Sequence, residues 1–199
     1  MSDIAHVLVT IRDATEDDLP EVVDLWGMLA SHHESISDDF KLAWDSKRKW
    51  AQYLEHKFSE ISTKLIVAEE KEKLVGFMLC LLSPNQPVFK ERKIGVIADV
   101  YVLESLRRKG LANKMLEVAI TWFRKNKVRS VQLAVAHANL EARAVWRSLG
   151  FEPYMLYKRL DLDKLERRPK MTLSRRVVRN KKVKKRSGFA LRKIRRGSS

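Results

Sequence analysis

The chain has 199 residues, 45% of them hydrophobic, and a formal net charge of +15; this length suits one domain with an appendage, and the apolar share is ample for a core. A single cysteine, Cys80, excludes an intrachain disulfide, and the apolar run around it, Leu74 to Leu82, is too short to span a bilayer. The charge is uneven: residues 167–199 hold 15 Lys/Arg and no Asp/Glu, and removing those 15 from the total of 40 leaves 25 basic against 25 acidic residues before them.

The first residues, Met1-Ser2-Asp3-Ile4-Ala5-His6, lack a basic n-region and an apolar h-region, so a soluble, cytoplasmic protein without a transmembrane segment is expected. Val7 to Arg12 reads as a first strand. Thr15 offers an N-cap with Asp18 at the third helical position, a variant of the capping box. Leu19, Val22, Val23, Trp26 and Leu29–Ala30 keep helical spacing, which predicts a helix to about Ser31. Ser31 to Phe40 is polar and without a clear period, and a second helix is predicted around 42–60. His32 and His33 are adjacent, so they point in opposite directions, and no cysteine partners them; no metal is expected.

Leu65 to Glu69, a turn over Glu70-Lys71-Glu72-Lys73, and Leu74 to Leu82 predict an antiparallel hairpin that ends at Ser83-Pro84-Asn85-Gln86-Pro87. Cys80 sits inside its second strand and reads as a buried structural thiol. The run Ile97-Ala98-Asp99-Val100-Tyr101-Val102-Leu103 has strand propensity. It feeds a basic turn closing on Gly110, after which Leu111, Met115, Val118, Ala119 and Trp122 recur at helical steps to about 126. A basic, glycine-containing turn at a helix N-terminus is an anion site in physical terms, because the first helical N–H groups lack partners and the dipole's positive end points outward. A diphosphate suits it.

Val131 to Val135 is the next predicted strand. Asn139 then caps a helix on which Ala142, Val145, Trp146 and Leu149 share a face, and Gly150 closes it. Phe151 to Leu160 is predicted to supply one or two last strands. The fold class expected is α/β: a mixed, mostly antiparallel, twisted sheet with flanking helices. The domain is expected to span 1–162, followed by a basic tail, 163–199, that is disordered when free.

Two motifs stand in order along this chain. Arg107-x-x-Gly110-x-Ala112 follows directly on Val100-Tyr101-Val102, and Asn139-x-x-Ala142-x-x-x-Trp146-x-x-x-Gly150-Phe151 lies downstream, separated from it by a helix and a strand. Together they resemble the acetyl-CoA signature of the GCN5-related N-acetyltransferase (GNAT) superfamily, Gln/Arg-x-x-Gly-x-Gly/Ala. The resemblance covers roughly residues 5–160, and Ile11-Arg12-Asp13-Ala14-Thr15-x-x-Asp18 is similar to the opening of many such domains.

The resemblance implies the acyl-CoA N-acyltransferase fold and an enzyme that uses acetyl-CoA as co-substrate. It implies transfer of acetyl to a primary amine, on a small molecule or on a protein Lys or N-terminus, by direct attack in a ternary complex. Backbone groups of Val100, Tyr101 and Val102 would hold pantetheine. Amides from Arg108 through Gly110, Leu111, Ala112 and Asn113, with the side chains of Arg107, Arg108 and Lys109, would hold the pyrophosphate. Asn139 and Trp146 would border the pantetheine arm. The region between the first two helices forms one wall of the acceptor pocket in the family, which makes His33 and Glu34 candidate acceptor contacts.

The catalytic groups are less regular. Many members carry Tyr where Trp146 stands, and an indole N–H has no titratable proton to give a leaving thiolate. Asp99 is the sole carboxylate on the central strand before its terminal turn. Strict alternation places Asp99 and Tyr101 on the face opposite Ala98, Val100 and Val102, so Asp99 shares a pocket with all of them only if a bulge shifts the phase. His137, at a strand end, has a suitable intrinsic pKa. Asp99 and His137 are the candidates for the base, with Tyr154, Tyr157 and a water-mediated route as alternatives.

The acid-free segment 167–199 reads as an arm for nucleic acid, a ribonucleoprotein or another polyanion, with salt-sensitive, sequence-indifferent binding. An anionic membrane surface, met through Phe189, Leu191 and Ile194, and a merely solvated tail are the other readings. A second functional class stays open beside the enzyme: a nucleic-acid- or ribonucleoprotein-associated protein that uses the fold mainly for binding. The protein is expected to be a monomer or homodimer.

Overall fold

The computed structural model describes residues 9–162; the expected basic tail and its polyanion-binding arm lie outside the described residues. Five strands form one sheet in the order β1-β2-β3-β4-β5: β1 Thr10–Asp13, β2 Thr63–Glu70, β3 Lys73–Pro84, β4 Lys93–Val102 and β5 Val131–Leu133. The first four pair antiparallel, and β5 joins β4 in parallel. Four helices flank the sheet: α1 Leu19–Ile36, α2 Ser46–Phe58, α3 Leu111–Lys125 and α4 Leu140–Ser148.

The start of α1 is tied to the sheet by charge. The Asp18 carboxylate accepts hydrogen bonds from the Thr15 amide at 2.7 Å and hydroxyl at 2.9 Å, and from Arg12 Nη1 and Nη2 at 2.7 and 2.9 Å. Arg12 also donates to Glu69 on β2 at 2.6 Å. Arg12 and the Thr15 donors hold the Asp18 carboxyl down at about 2 despite its burial. The helix then runs five residues beyond the expected Ser31, because its backbone ladder continues through polar residues that need no buried stripe. At its end the Ser37 hydroxyl accepts from the Asp39 amide and opens a short 3₁₀ turn over Asp38–Phe40.

The β2–β3 hairpin closes through Lys71 and Glu72, both at positive φ (51° and 60°), the backbone sense that matches strand twist in a two-residue loop. Two cores sandwich the sheet. On one face Val22, Leu25 and Leu29 of α1 and Leu54 of α2 pack on Val67, Phe77 and Leu79. On the other, Met115, Ala119 and Phe123 of α3 and Trp146 of α4 pack on Ile66, Met78, Cys80 and Ile97. Gly95 matters here: a Cβ on it would lie 2.7 Å from the Phe123 ring, so α3 sits against β4 where no side chain intervenes.

The ladder between β3 and β4 carries an irregularity. Leu79 pairs with Asp99 and Cys80 with Ile97, which leaves Ala98 without an opposite residue. This is a bulge on β4. Beyond Ile97 the β4–β5 pairing stops, since β5 ends at Leu133. The boundary between two compact units falls between Glu152 and Pro153. Residues 151–161 form no strand, contrary to expectation: Tyr154 and Tyr157 are 73% and 88% exposed, and strand propensity without a ladder partner does not make a strand.

Candidate active site

The bulge changes what β4 can present. Ile97, Val100 and Val102 all pack in the α3 core, whereas Tyr101 packs in the α1–α2 core. Without Ala98 as the extra residue, Ile97 and Val100 would fall on opposite faces. Leu103 N–H donates to Val75 O on β3 at 2.9 Å. By the two-residue period, the backbone groups of Tyr101 and Asp99 also turn to β3, and those of Val100 and Val102 turn to the edge that β5 has left. A cleft of about 430 Å³ fills that split.

Around the cleft the structure brings together most of the residues singled out in the sequence. Asp99, Val100, Tyr101 and Val102 line it from β4; Arg107, Arg108, Gly110, Leu111, Ala112 and Asn113 from the turn and α3; Asn139 and Trp146 from α4; His33 from α1. The turn is shaped by two left-handed residues, Arg108 (φ 60°) and Gly110 (φ 79°). A Cβ on Gly110 would meet no protein atom within 4 Å, so the space over it is open. Gly110 has no side chain to cap α3, and the first free amides of this 15-residue helix face outward.

Arg107 braces the turn. Its Nε donates to Val102 O at 3.4 Å, its Nη1 lies 3.8 Å from Glu141 on α4, and its guanidinium stands over the Tyr101 ring at 5.8 Å. Asn139 Oδ1 accepts from the Ala142 amide at 2.9 Å and fixes the start of α4. Trp146 is 8% exposed and meets Phe151 edge-on, ring centroids 5.2 Å apart, so one side chain is both core and cleft wall.

Asp99 is the distinctive titratable group. Burial pushes its carboxyl up to about 6, against the pull of hydrogen bonds from Trp26 and Trp50. His33 is pushed down by burial and by neighbouring His32. Cys80, buried, is pushed up to about 12 and stays a thiol.

Three expected site residues lie elsewhere. His137 is exposed and outside the cleft wall, with its backbone carbonyl accepting from Arg143; the chain turns away from the sheet after Leu133, so a strand-end position does not bring it to β4. Glu34 accepts from the Leu42 amide at 2.8 Å and shapes the α1–α2 connection instead of the cleft. Lys109 is exposed and does not line the cleft. Conversely, Leu29, Ala134 and Val145 line the cleft without a sequence signal, since apolar residues on an amphipathic face look alike whether they meet core or cavity.

A model of the acetyltransferase (GNAT) family matches residues 29–151. An uncharacterized N-acetyltransferase of Archaeoglobus fulgidus is 27% identical over 138 residues, 69% of this chain and 89% of its own. A structure of a Bacillus halodurans protein superposes with a TM-score of 0.66 at 23% identity, covering 76% of this chain and 99% of that one. The predicted acetyltransferase of Clostridium acetobutylicum with acetyl-CoA superposes with a TM-score of 0.64 at 17% identity, covering 79% and 98%. With a split β4 edge, a left-handed turn at the foot of α3 and a family match over more than half its length, this chain belongs to the acetyltransferase (GNAT) family.

Proposed function

We propose that this protein transfers the acetyl group of acetyl-CoA to a primary amine by direct attack in a ternary complex. As a GNAT-family member it is an N-acetyltransferase with acetyl-CoA as co-substrate. One observation carries the finer reading: the open edge of β4, the Gly110 turn and the Asp99 carboxyl share one cleft.

In this reading the amides from Arg108 to Asn113 take the pyrophosphate, with charge from Arg107 and Arg108. Val100 and Val102 hydrogen-bond the pantetheine arm, and a free amide of that edge polarises the thioester carbonyl. Asp99 accepts a proton from the bound ammonium, the nitrogen lone pair attacks the carbonyl carbon, and the C–S bond breaks. The nitrogen gives up its second proton to solvent as the amide forms, and the departing thiolate takes one from solvent, because Trp146 offers only an indole N–H. His33, on the cleft wall, contacts the acceptor.

The test is calorimetric titration of the full chain with acetyl-CoA, followed by thiol release with a polyamine, a lysine peptide and a peptide with a free N-terminus. Saturable binding that Gly110→Trp abolishes, with thiol release for at least one amine, supports the enzyme. No binding at millimolar acetyl-CoA overturns it. Residues 167–199, with 15 basic and no acidic side chains, are proposed as a polyanion-binding arm. Its test is oligonucleotide affinity that falls steeply with salt and disappears when 167–199 are deleted, while thiol release survives.

A further inference from the structure

Across the β3–β4 ladder Asp99 stands opposite Leu79, and Tyr101 opposite Phe77. Leu79 and Phe77 both belong to the core beneath α1 and α2, so the Asp99 side chain points into that layer too. The same layer holds Trp26 of α1 and Trp50 of α2, whose rings stack with centroids 4.8 Å apart and planes 11° from parallel. Phe77 meets Trp50 edge-on at 6.0 Å and braces the pair from the sheet.

An indole N–H can only donate, and Trp26 and Trp50 both act to hold the Asp99 carboxyl down against its burial. Among the described residues no Lys or Arg forms an ion pair with Asp99. The titratable groups around it are Tyr53 of α2, which feels the Asp99 charge, and along the cleft wall His32 and His33 of α1 and Tyr101 of β4; from β3 it meets the apolar Leu79. A carboxylate desolvated without a cation loses its ionised form unless neutral donors hold it.

We propose that Trp26 and Trp50 are positioning residues, a stacked indole clamp that orients the Asp99 carboxylate at the cleft and keeps it able to accept a proton. The clamp rests on reading Asp99 as the base. Trp26, whose helical spacing reads as plain core, thereby acquires a role in the chemistry together with Trp50.

The experiment follows the Asp99 carboxyl by carbon NMR in the full chain, with its resonance assigned through Asp99→Asn. Trp26→Phe, Trp50→Phe and the double variant keep the aromatic bulk and remove the donors. Each single variant is expected to raise the Asp99 midpoint by about one pH unit, and the double by more. The acid limb of the kcat/KM profile should move with it, while acetyl-CoA affinity stays within about threefold, because the cofactor's groups are not altered. An unmoved midpoint in both folded single variants overturns the clamp. A midpoint that moves while the acid limb stays put upholds the clamp and overturns Asp99 as the base. If the double variant fails to fold, the single variants, each retaining one indole of the stack, carry the test.

Discussion

The two ends of the cleft are built on different principles. At the α3 end the site is backbone: free amides, a left-handed Gly110 and an open strand edge, with Arg107 as the brace. At the α1–α2 end it is side chains: one carboxyl beside two stacked indoles, with a tyrosine and two histidines along the same cleft wall, drawn from three elements far apart in sequence. A backbone site is tied to the fold and needs only short spacing to announce itself. A side-chain site depends on which residues happen to converge, and it can vary while the fold stays constant.

Damage to one end of the cleft should leave the other intact. Gly110→Trp should reduce acetyl-CoA affinity by at least about 100-fold, since its side chain enters the open space over the turn and strains a left-handed φ, yet leave the Asp99 carboxyl titration unmoved. Asp99→Asn should do the reverse: calorimetric affinity for acetyl-CoA within about threefold of the original, and turnover down by about 10²- to 10⁴-fold, the usual worth of a positioned base. With Asp99 raised to about 6, kcat/KM of the original enzyme should climb as pH rises through that value, and this limb should vanish in Asp99→Asn. If Gly110→Trp moves the carboxyl, or Asp99→Asn destroys binding, the two ends are not separable.

Two smaller effects concern the frame that holds both ends. Gly95→Ala should cost about 1–3 kcal/mol in denaturant unfolding, because its Cβ would stand 2.7 Å from the Phe123 ring and must push α3 from β4. Asp18→Asn should cost about 2 kcal/mol at pH 7. The Asp18 carboxyl is held at about 2 in the fold, below its unfolded value near 4, so its contribution is full above that unfolded value and fades as pH falls toward 2. The stabilities of the original and the variant should converge there. The smallest effect expected is from His137→Ala, with kcat within about twofold of the original, because the ring is exposed and outside the cleft.

Local information determined much of this molecule. The apolar runs Leu65–Ala68 and Leu74–Leu82 on either side of a polar turn, the helical steps of Leu111, Met115 and Ala119, and the Asn139 cap all rest on signals within a few residues, and the structure keeps each of them. The Arg107–Ala112 turn was legible for the same reason: its chemistry lies in consecutive amides. Tertiary structure decided three matters that no local rule reaches. The bulge at Ala98 arises from pairing with β3, and it brings Ile97 onto the face of Val100 and Val102, while Asp99 and Tyr101 keep to the other face as plain alternation has them. Residues 151–161 form no strand, although their aromatic and apolar side chains suit one, because strands exist only with partners. Trp26, Trp50 and Asp99 converge from three elements; Asp99 stands out in the sequence as a lone strand carboxylate, but its indole neighbours do not, and the carboxyl's unusual environment exists only once helix packing has withdrawn much of the water around it.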